Sequence, residues 1–227
     1  MLSFLIGIID IGSTGTRFNI FGYSEDKELI KYKHYEVPGG LHKMNRQEIR
    51  DSLNKLTIQL PEYVFKIPVG VYCTAGFRHP LNLKKLKFIK ALLLRFNIKE
   101  AGILSGEYEG YLGYQSLKYI LKLSNFNLID MGGASTQVVT RDNYKSYQIG
   151  TTNLEDIKNI KNIKPIDNNL PVYISSGFTR NQKLKIKDIN NEYLKIFLDR
   201  LGVKRDLIGV KVNWTLGMSL RYINQNI

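Results

Sequence analysis

The 227-residue chain reads as an α/β protein of two similar lobes, each a mixed β-sheet flanked by helices. Three observations predict this. The segment Ile9-Asp10-Ile11-Gly12-Ser13-Thr14-Gly15-Thr16-Arg17 returns 120 residues later as Ile129-Asp130-Met131-Gly132-Gly133-Ala134-Ser135-Thr136-Gln137. Apolar periodicity gives the order βββαβαβα and then restarts with βββ near Phe126, as expected for a duplicated unit. Hydrophobic residues make up 43% of the chain, enough for a real core.

The elements follow in order. Residues 4–10, 16–22 and 29–37 form three strands joined by turns. Asn45-Arg46-Gln47-Glu48 has capping-box spacing. Ile49, Leu53, Leu56 and Leu60 follow at helical intervals, so 46–60 is an amphipathic helix. Pro68 introduces a strand over 69–73. Residues 81–95 form a basic helix with Leu83, Leu86, Ile89 and Leu93 inward and Lys84, Lys85, Lys87 and Lys90 outward. A strand over 101–104 leads into a helix over 107–123. The second half gives strands at 127–131, 135–141 and 144–149, a helix near 153–162, a strand at 171–175, and helices over 189–201 and 214–223. Lys183–Lys187 alternates charge with apolar residues and reads as a solvated edge. Residues 1–124 form the first lobe and 125–213 the second. The C-terminal helix, 214–227, joins the first lobe.

Each copy of the repeat is a strand ending in Asp, then a turn of Gly and hydroxyl residues, then another strand. Such a turn gathers backbone N–H groups and hydroxyls into an anion-binding concavity. The Asp presents a hard oxygen that suits Mg²⁺ or Ca²⁺, chiefly through water. One such turn is ordinary; two predict a pair of clamps on a polyphosphate–metal complex, one from each lobe. In Tyr72-Cys73-Thr74-Ala75-Gly76-Phe77-Arg78, Thr74 can hydrogen-bond a metal-bound water. Arg78 suits either phosphate or a structural ion pair. In Gly106-Glu107-Tyr108-Glu109-Gly110, Glu107 complements a helix dipole. Glu109 is placed to deprotonate an attacking water. Ser13, Thr14 and Ser135 as covalent nucleophiles rank low, because no histidine adjoins them in sequence.

The net charge is +13, with +7 in residues 1–124 and +6 in residues 125–227. This diffuse field draws anionic ligands without marking a nucleic-acid site. A single cysteine, Cys73, excludes an internal disulfide. Met1–Ile9 lacks a basic leader and reads as the first core strand. No apolar run approaches the ~20 residues that span a bilayer. A cytoplasmic protein without membrane or nucleic-acid partners is expected.

Four segments together resemble the apyrases: Asp10–Arg17, Thr74–Arg78, Gly106–Gly110 and Asp130–Gln137. Apyrases are the nucleoside triphosphate diphosphohydrolases of the actin, sugar-kinase and heat-shock-chaperone superfamily. Val172–Phe178 and Asn213-Trp214-Thr215-Leu216-Gly217-Met218 are similar to later parts of that family. The resemblance implies two actin-like (ribonuclease H-like) lobes with the active site in the cleft between them. It implies metal-dependent hydrolysis of terminal phosphates of nucleoside tri- and diphosphates, by direct in-line attack of water. Asp10, Asp130, Thr74 and Glu109 would hold the cation, mainly through water. Ser13, Thr14, Gly15, Thr16 and Arg17 would bind phosphate from one lobe, and Gly132, Gly133, Ala134 and Ser135 from the other. Glu109 would be the base, with Ser135 and Gln137 positioning the water. Gly177, Phe178 and Arg180 would contact the nucleobase.

The interval from Gln137 to Val172 is short by the family's standard, so the second lobe is compact. Gly133-Ala134-Ser135-Thr136-Gln137 favours an apyrase over the sister exopolyphosphatase / guanosine pentaphosphate phosphohydrolase family. That family remains the alternative enzyme, and an actin-like scaffold with slow hydrolysis is the alternative from another class.

Overall fold

A computed structural model of the protein describes residues 1–176 and 183–225. Contacts divide the chain into two units. The first comprises Met1–Ser105 and the chain from Thr215 on; the second is Gly106–Trp214.

The first unit is built on strands β1 (Phe4–Ile11), β2 (Gly15–Tyr23), β3 (Leu29–Pro38), β4 (Pro68–Cys73) and β5 (Asn97–Ile103), in the order β3-β2-β1-β4-β5. β1 pairs antiparallel with β2 and parallel with β4, so the sheet is mixed. Strand alternation sends Ile9, Ile11, Phe18, Ile20 and Val71 to one face. There they meet helices α1 (Arg46–Ile58) and α2 (Leu83–Leu92) through Leu53, Leu56 and Ile89. The predicted capping box exists: the Asn45 side chain accepts from the Gln47 and Glu48 amides, and Glu48 accepts from the Asn45 amide at 2.7 Å. The C-terminal helix, called α5 below (Trp214–Gln225), bonds to the strands of this unit. Ser219 meets Tyr23 at 2.6 Å, and Tyr222 meets Tyr72 at 2.8 Å.

The second unit contains helix α3 (Gly106–Leu121) and strands β6 (Asn127–Met131), β7 (Thr136–Thr140), β8 (Asn143–Tyr147), β9 (Val172–Ser175), β10 (Lys183–Leu184) and β11 (Leu207–Gly209). Their order is β10-β11-β9-β6-β7-β8. Read from β8, the first five strands repeat the order of the first unit. Helix α4 (Glu192–Arg200), capped by Asn191, covers one face with Leu194, Phe197 and Leu198. Tyr114 and Leu117 of α3 cover the other, against Leu128, Val139 and Tyr173.

Several expectations change. The boundary near residue 124 moves to 105/106, because α3 packs on β7 and β8 rather than on the first sheet. The helix expected near 153–162 is a 3₁₀ segment over Leu154–Asn159. β5 begins at Asn97, not 101. The stretch 183–187 contributes the short edge strand β10, and β11 was not foreseen. Among the described residues no helix is long and apolar enough to cross a membrane.

Candidate active site

The two repeats fold into the same hairpin. In β1–β2 the register pairs Asp10 with Arg17 and Ile11 with Thr16; the turn closes by Gly12 N–H to Gly15 C=O at 2.9 Å. In β6–β7 it pairs Asp130 with Gln137 and Met131 with Thr136; the turn closes by Gly132 N–H to Ser135 C=O, also at 2.9 Å. The sequence match is therefore a match of backbone geometry.

Each turn is braced from behind by the segment that follows the unit's third strand. Gly39 N–H donates to the Thr14 carbonyl at 2.8 Å. Gly40 lies so close that a Cβ there would stand 2.2 Å from the Ser13 carbonyl oxygen. In the second unit, Thr151 N–H donates to the Gly132 carbonyl at 2.9 Å and Thr152 N–H to the Gly133 carbonyl at 3.0 Å. The Thr152 hydroxyl adds a bond to that same Gly133 oxygen at 2.6 Å. A trans peptide carries its C=O and N–H on opposite sides. Drawing the Gly132 and Gly133 carbonyls into the brace therefore turns the Gly133 and Ala134 N–H groups the other way. Neither of these two donates to the backbone elsewhere among the described residues. That is the arrangement an anion requires.

The sequence did not point to these braces. Gly39-Gly40 and Ile149-Gly150-Thr151-Thr152-Asn153 carry the turn chemistry that could have marked them. Asn153 fixes the second brace by accepting from the Gly150 amide at 2.8 Å.

The expected phosphate residues do not share one environment. Ser13 is half-buried, Thr14 is exposed and Gly15 is buried. In the second loop Gly132 is exposed, and Gly133 and Ala134 are half-buried. Thr16 is fully enclosed, and its hydroxyl has no hydrogen-bond partner among the described residues. Arg17 is held by two carboxylates, Glu36 at 2.7 Å and Asp10 at 3.5 Å. These two contacts tie Arg17 to the carboxylate at the end of β1.

Asp10 is buried at the end of β1. Cys73 ends the adjacent β4, paired with Ile11. Burial pushes its thiol up to about 12, and the Asp10 charge pushes in the same direction. Such a thiol is inert. Thr74, one residue on, is buried and its amide donates to the Ile11 carbonyl at 3.2 Å. Arg78 donates to the Leu104 carbonyl at 2.9 Å, which ties the Thr74–Arg78 segment to the end of β5. His42 lies under this segment: a Cβ on Gly76 would meet its Nδ1 at 2.4 Å. Burial, then the nearby Lys43 and Lys85, lower the His42 pKa below its usual value.

In the second unit, α3 carries Glu109 and packs on β6–β7. A Cβ on Gly110, the next residue, would lie 2.9 Å from Gln137 Cβ. One turn later, a Cβ on Gly113 would lie 3.6 Å from Asp130 Oδ2. Gln137 is 2% exposed and donates through Nε2 to Ser135 Oγ at 2.9 Å and Ser146 Oγ at 3.2 Å. With both amide hydrogens engaged, Oε1 is what Gln137 can offer a further partner. Glu109, Asp130, Ser135 and Gln137 all belong to this unit, and Asp10 and Thr74 to the other. Gly177, Phe178 and Arg180 lie outside the described residues.

Among the described residues no three His, Cys, Asp or Glu side chains converge as direct metal ligands. The donors present, single carboxylates and a threonine hydroxyl, fit a hydrated divalent cation better than a dehydrated one.

A model of the GDA1/CD39 (nucleoside phosphatase) family matches residues 3–200. A protein of Arabidopsis thaliana, "Probable apyrase 3", is 28% identical in a match that takes in 58% of this chain and 33% of that protein. The chain thus spans about a third of the length of this curated relative. Among solved structures, the Ppx/GppA family member of Aquifex aeolicus is similar at TM-score 0.65 and 16% identity, covering 98% of each chain. An exopolyphosphatase from Cytophaga hutchinsonii is similar at TM-score 0.64 and 14% identity, again over 98% of each chain. The ethanolamine utilization protein EutJ of Carboxydothermus hydrogenoformans reaches TM-score 0.51 at 10% identity, over 97% of this chain and 89% of that one. These likenesses bear on fold, and the fold is the actin-like α/β class with two mixed sheets flanked by helices.

Proposed function

Because the chain belongs to the GDA1/CD39 (nucleoside phosphatase) family, we propose that it removes terminal phosphates from nucleoside tri- and diphosphates, down to the monophosphate. The observation that carries this reading is the seating of α3 on β7. It packs Gly110, the residue after Glu109, against Gln137, in the strand that leaves a loop whose amides are turned outward.

The roles follow from the donors. Glu109 accepts a proton from the attacking water. Gln137 Oε1 accepts a hydrogen bond from that water's other O–H, and Ser135 fixes the Gln137 amide, so the oxygen lone pair is aimed at phosphorus. The new P–O bond forms in line as the bond to the leaving phosphate oxygen breaks, with no phosphoenzyme. Gly133 and Ala134 N–H groups take up the negative charge on the phosphoryl oxygens. Ser13, Thr14 and the Gly15 backbone of the first unit are assigned to phosphate, and Arg17 keeps Asp10 in place. Asp130 and Glu109 in the second unit, and Asp10 and Thr74 in the first, are the groups that would hold a hydrated divalent cation, Mg²⁺ or Ca²⁺, which would supply charge neutralisation for phosphate. Gly177, Phe178 and Arg180 are assigned to the base.

Phosphate release from ATP, ADP, GTP and long-chain polyphosphate, with Mg²⁺, Ca²⁺ or EDTA, tests the reading. Glu109→Gln should cost at least ~10²-fold in turnover. Unchanged turnover in that variant would rule out Glu109 as the base. The match over 98% of both chains to the Ppx/GppA protein favours a second reading, an exopolyphosphatase or guanosine pentaphosphate phosphohydrolase. Faster release from polyphosphate than from any nucleotide would select it.

A further inference from the structure

We propose that the outward face of α2, together with the turns at its two ends, docks on an anionic lipid surface. This goes beyond the hydrolytic reading and does not depend on it. Leu81, Lys84, Lys87, Ala91 and Leu94 are all exposed. Lys84, Lys87 and Ala91 share one face of α2, while Leu81 lies in the 3₁₀ turn before the helix and Leu94 two residues past its end. Leu81 is 80% exposed and Leu94 77%, while Ile89 of α2 and Leu93 just after it are buried in the core. The end leucines therefore contribute nothing to the core and are left to water.

The charge around them has one sign. Between Glu62 and Glu100 the chain holds eight Lys/Arg and no Asp or Glu. Lys85 and Lys90 are anchored, donating to the His42 and Ala101 carbonyls. Lys84 and Lys87 make no ion pair among the described residues. Helix α1 adds Arg46 and Arg50, whose guanidinium carbons lie 5.6 and 5.9 Å from the centre of the Phe88 ring. The acids of α1 are engaged elsewhere, Glu48 in the capping box and Asp51 with Gln47.

A soluble polyanion would use the lysines and leave the leucines unexplained. An apolar protein groove would use the leucines and leave the unbroken positive charge unexplained. A headgroup layer with acyl chains beneath it uses both. The expectation of no membrane partner rested on the lack of a spanning segment, a criterion that does not detect a helix lying in the interface plane.

The test is co-sedimentation of the whole protein with phosphatidylcholine vesicles, with and without phosphatidylserine. Binding is expected only with phosphatidylserine, and it should weaken as salt rises. The double variants K84E/K87E and L81S/L94S should each lower the partition coefficient at least about tenfold. A thermal melt checks that each variant folds, independently of any enzymatic activity. No binding to phosphatidylserine vesicles, equal binding to phosphatidylcholine alone, or unaltered binding in both variants would overturn the proposal. Loss in K84E/K87E with full binding in L81S/L94S would mark a plain polyanion contact and overturn it equally.

Discussion

Gly150 lies against the backbone of Gly132: a Cβ at residue 150 would stand 2.5 Å from the Gly132 carbonyl oxygen and 2.6 Å from the Ala134 nitrogen. The turn that orients the outward amides is thus shaped by a residue 18 positions away in sequence.

Gly150→Ala should displace that turn, since backbone atoms on both sides cannot yield as a flexible side chain would. Overpacking of this kind costs about 1–3 kcal/mol. Phosphate release should fall with it. Gly102→Ala meets nothing within 4 Å and serves as the control; its stability should stay within about 0.5 kcal/mol of the parent. Denaturant titration of both variants makes the comparison.

Gln137→Ala would leave Ser135 and Ser146 without their shared donor in a buried place. The expected destabilisation is about 1–3 kcal/mol. If Gln137 also aims the water, kcat should drop while KM for ATP holds. A raised KM with kcat unchanged would point to ligand binding instead.

Tyr222 anchors α5 to the first sheet. Its hydroxyl meets Tyr72 at 2.8 Å and Glu100 at 3.5 Å, and Arg221 reaches the same Glu100 oxygen at 3.3 Å. Burial pushes the Tyr222 phenol up to about 12 and the Tyr72 phenol further up, so both stay neutral donors at ordinary pH. Tyr222→Phe should lose about 1 kcal/mol. In a double-mutant cycle with Tyr72→Phe the two losses should fail to add, because they share one bond.

His42 makes stability depend on pH. Burial and two lysines depress its pKa in the folded chain. Between that depressed value and the ordinary value near 6.5 the unfolded chain binds more protons. Stability should therefore fall as pH drops through this window, and below it, where both states are protonated, His42 adds no further change. His42→Gln should flatten the slope of Tm against pH there. An unchanged slope would remove His42 as its source.

Much of the fold was open to reading because it is written in local periodicity. Alternation in β1, β2, β6 and β7, and i, i+4 spacing in α1, survive any tertiary arrangement. The α3 helix shows where this ends. Its existence was legible from sequence, but its partner was not, since the face bearing Gly110, Gly113, Tyr114 and Leu117 could cover either of two similar sheets. The small residues Gly110 and Gly113 let it approach Gln137 and Asp130 closely, and that contact moved the unit boundary. Similarly, nothing local to Arg17 shows that Glu36 of β3 stands opposite it.

By itself the sequence determined that one hairpin occurs twice, each time with a carboxylate at the strand end and a glycine–hydroxyl turn. Such chemistry is carried by adjacent residues and needs no partner to be recognised. Only the tertiary structure decided which way each turn's amides point, which carboxylates restrain Arg17, and which sheet receives Glu109. Those outcomes depend on pairings between strands and segments far apart in the chain, where register and close approach, rather than residue type, fix the result.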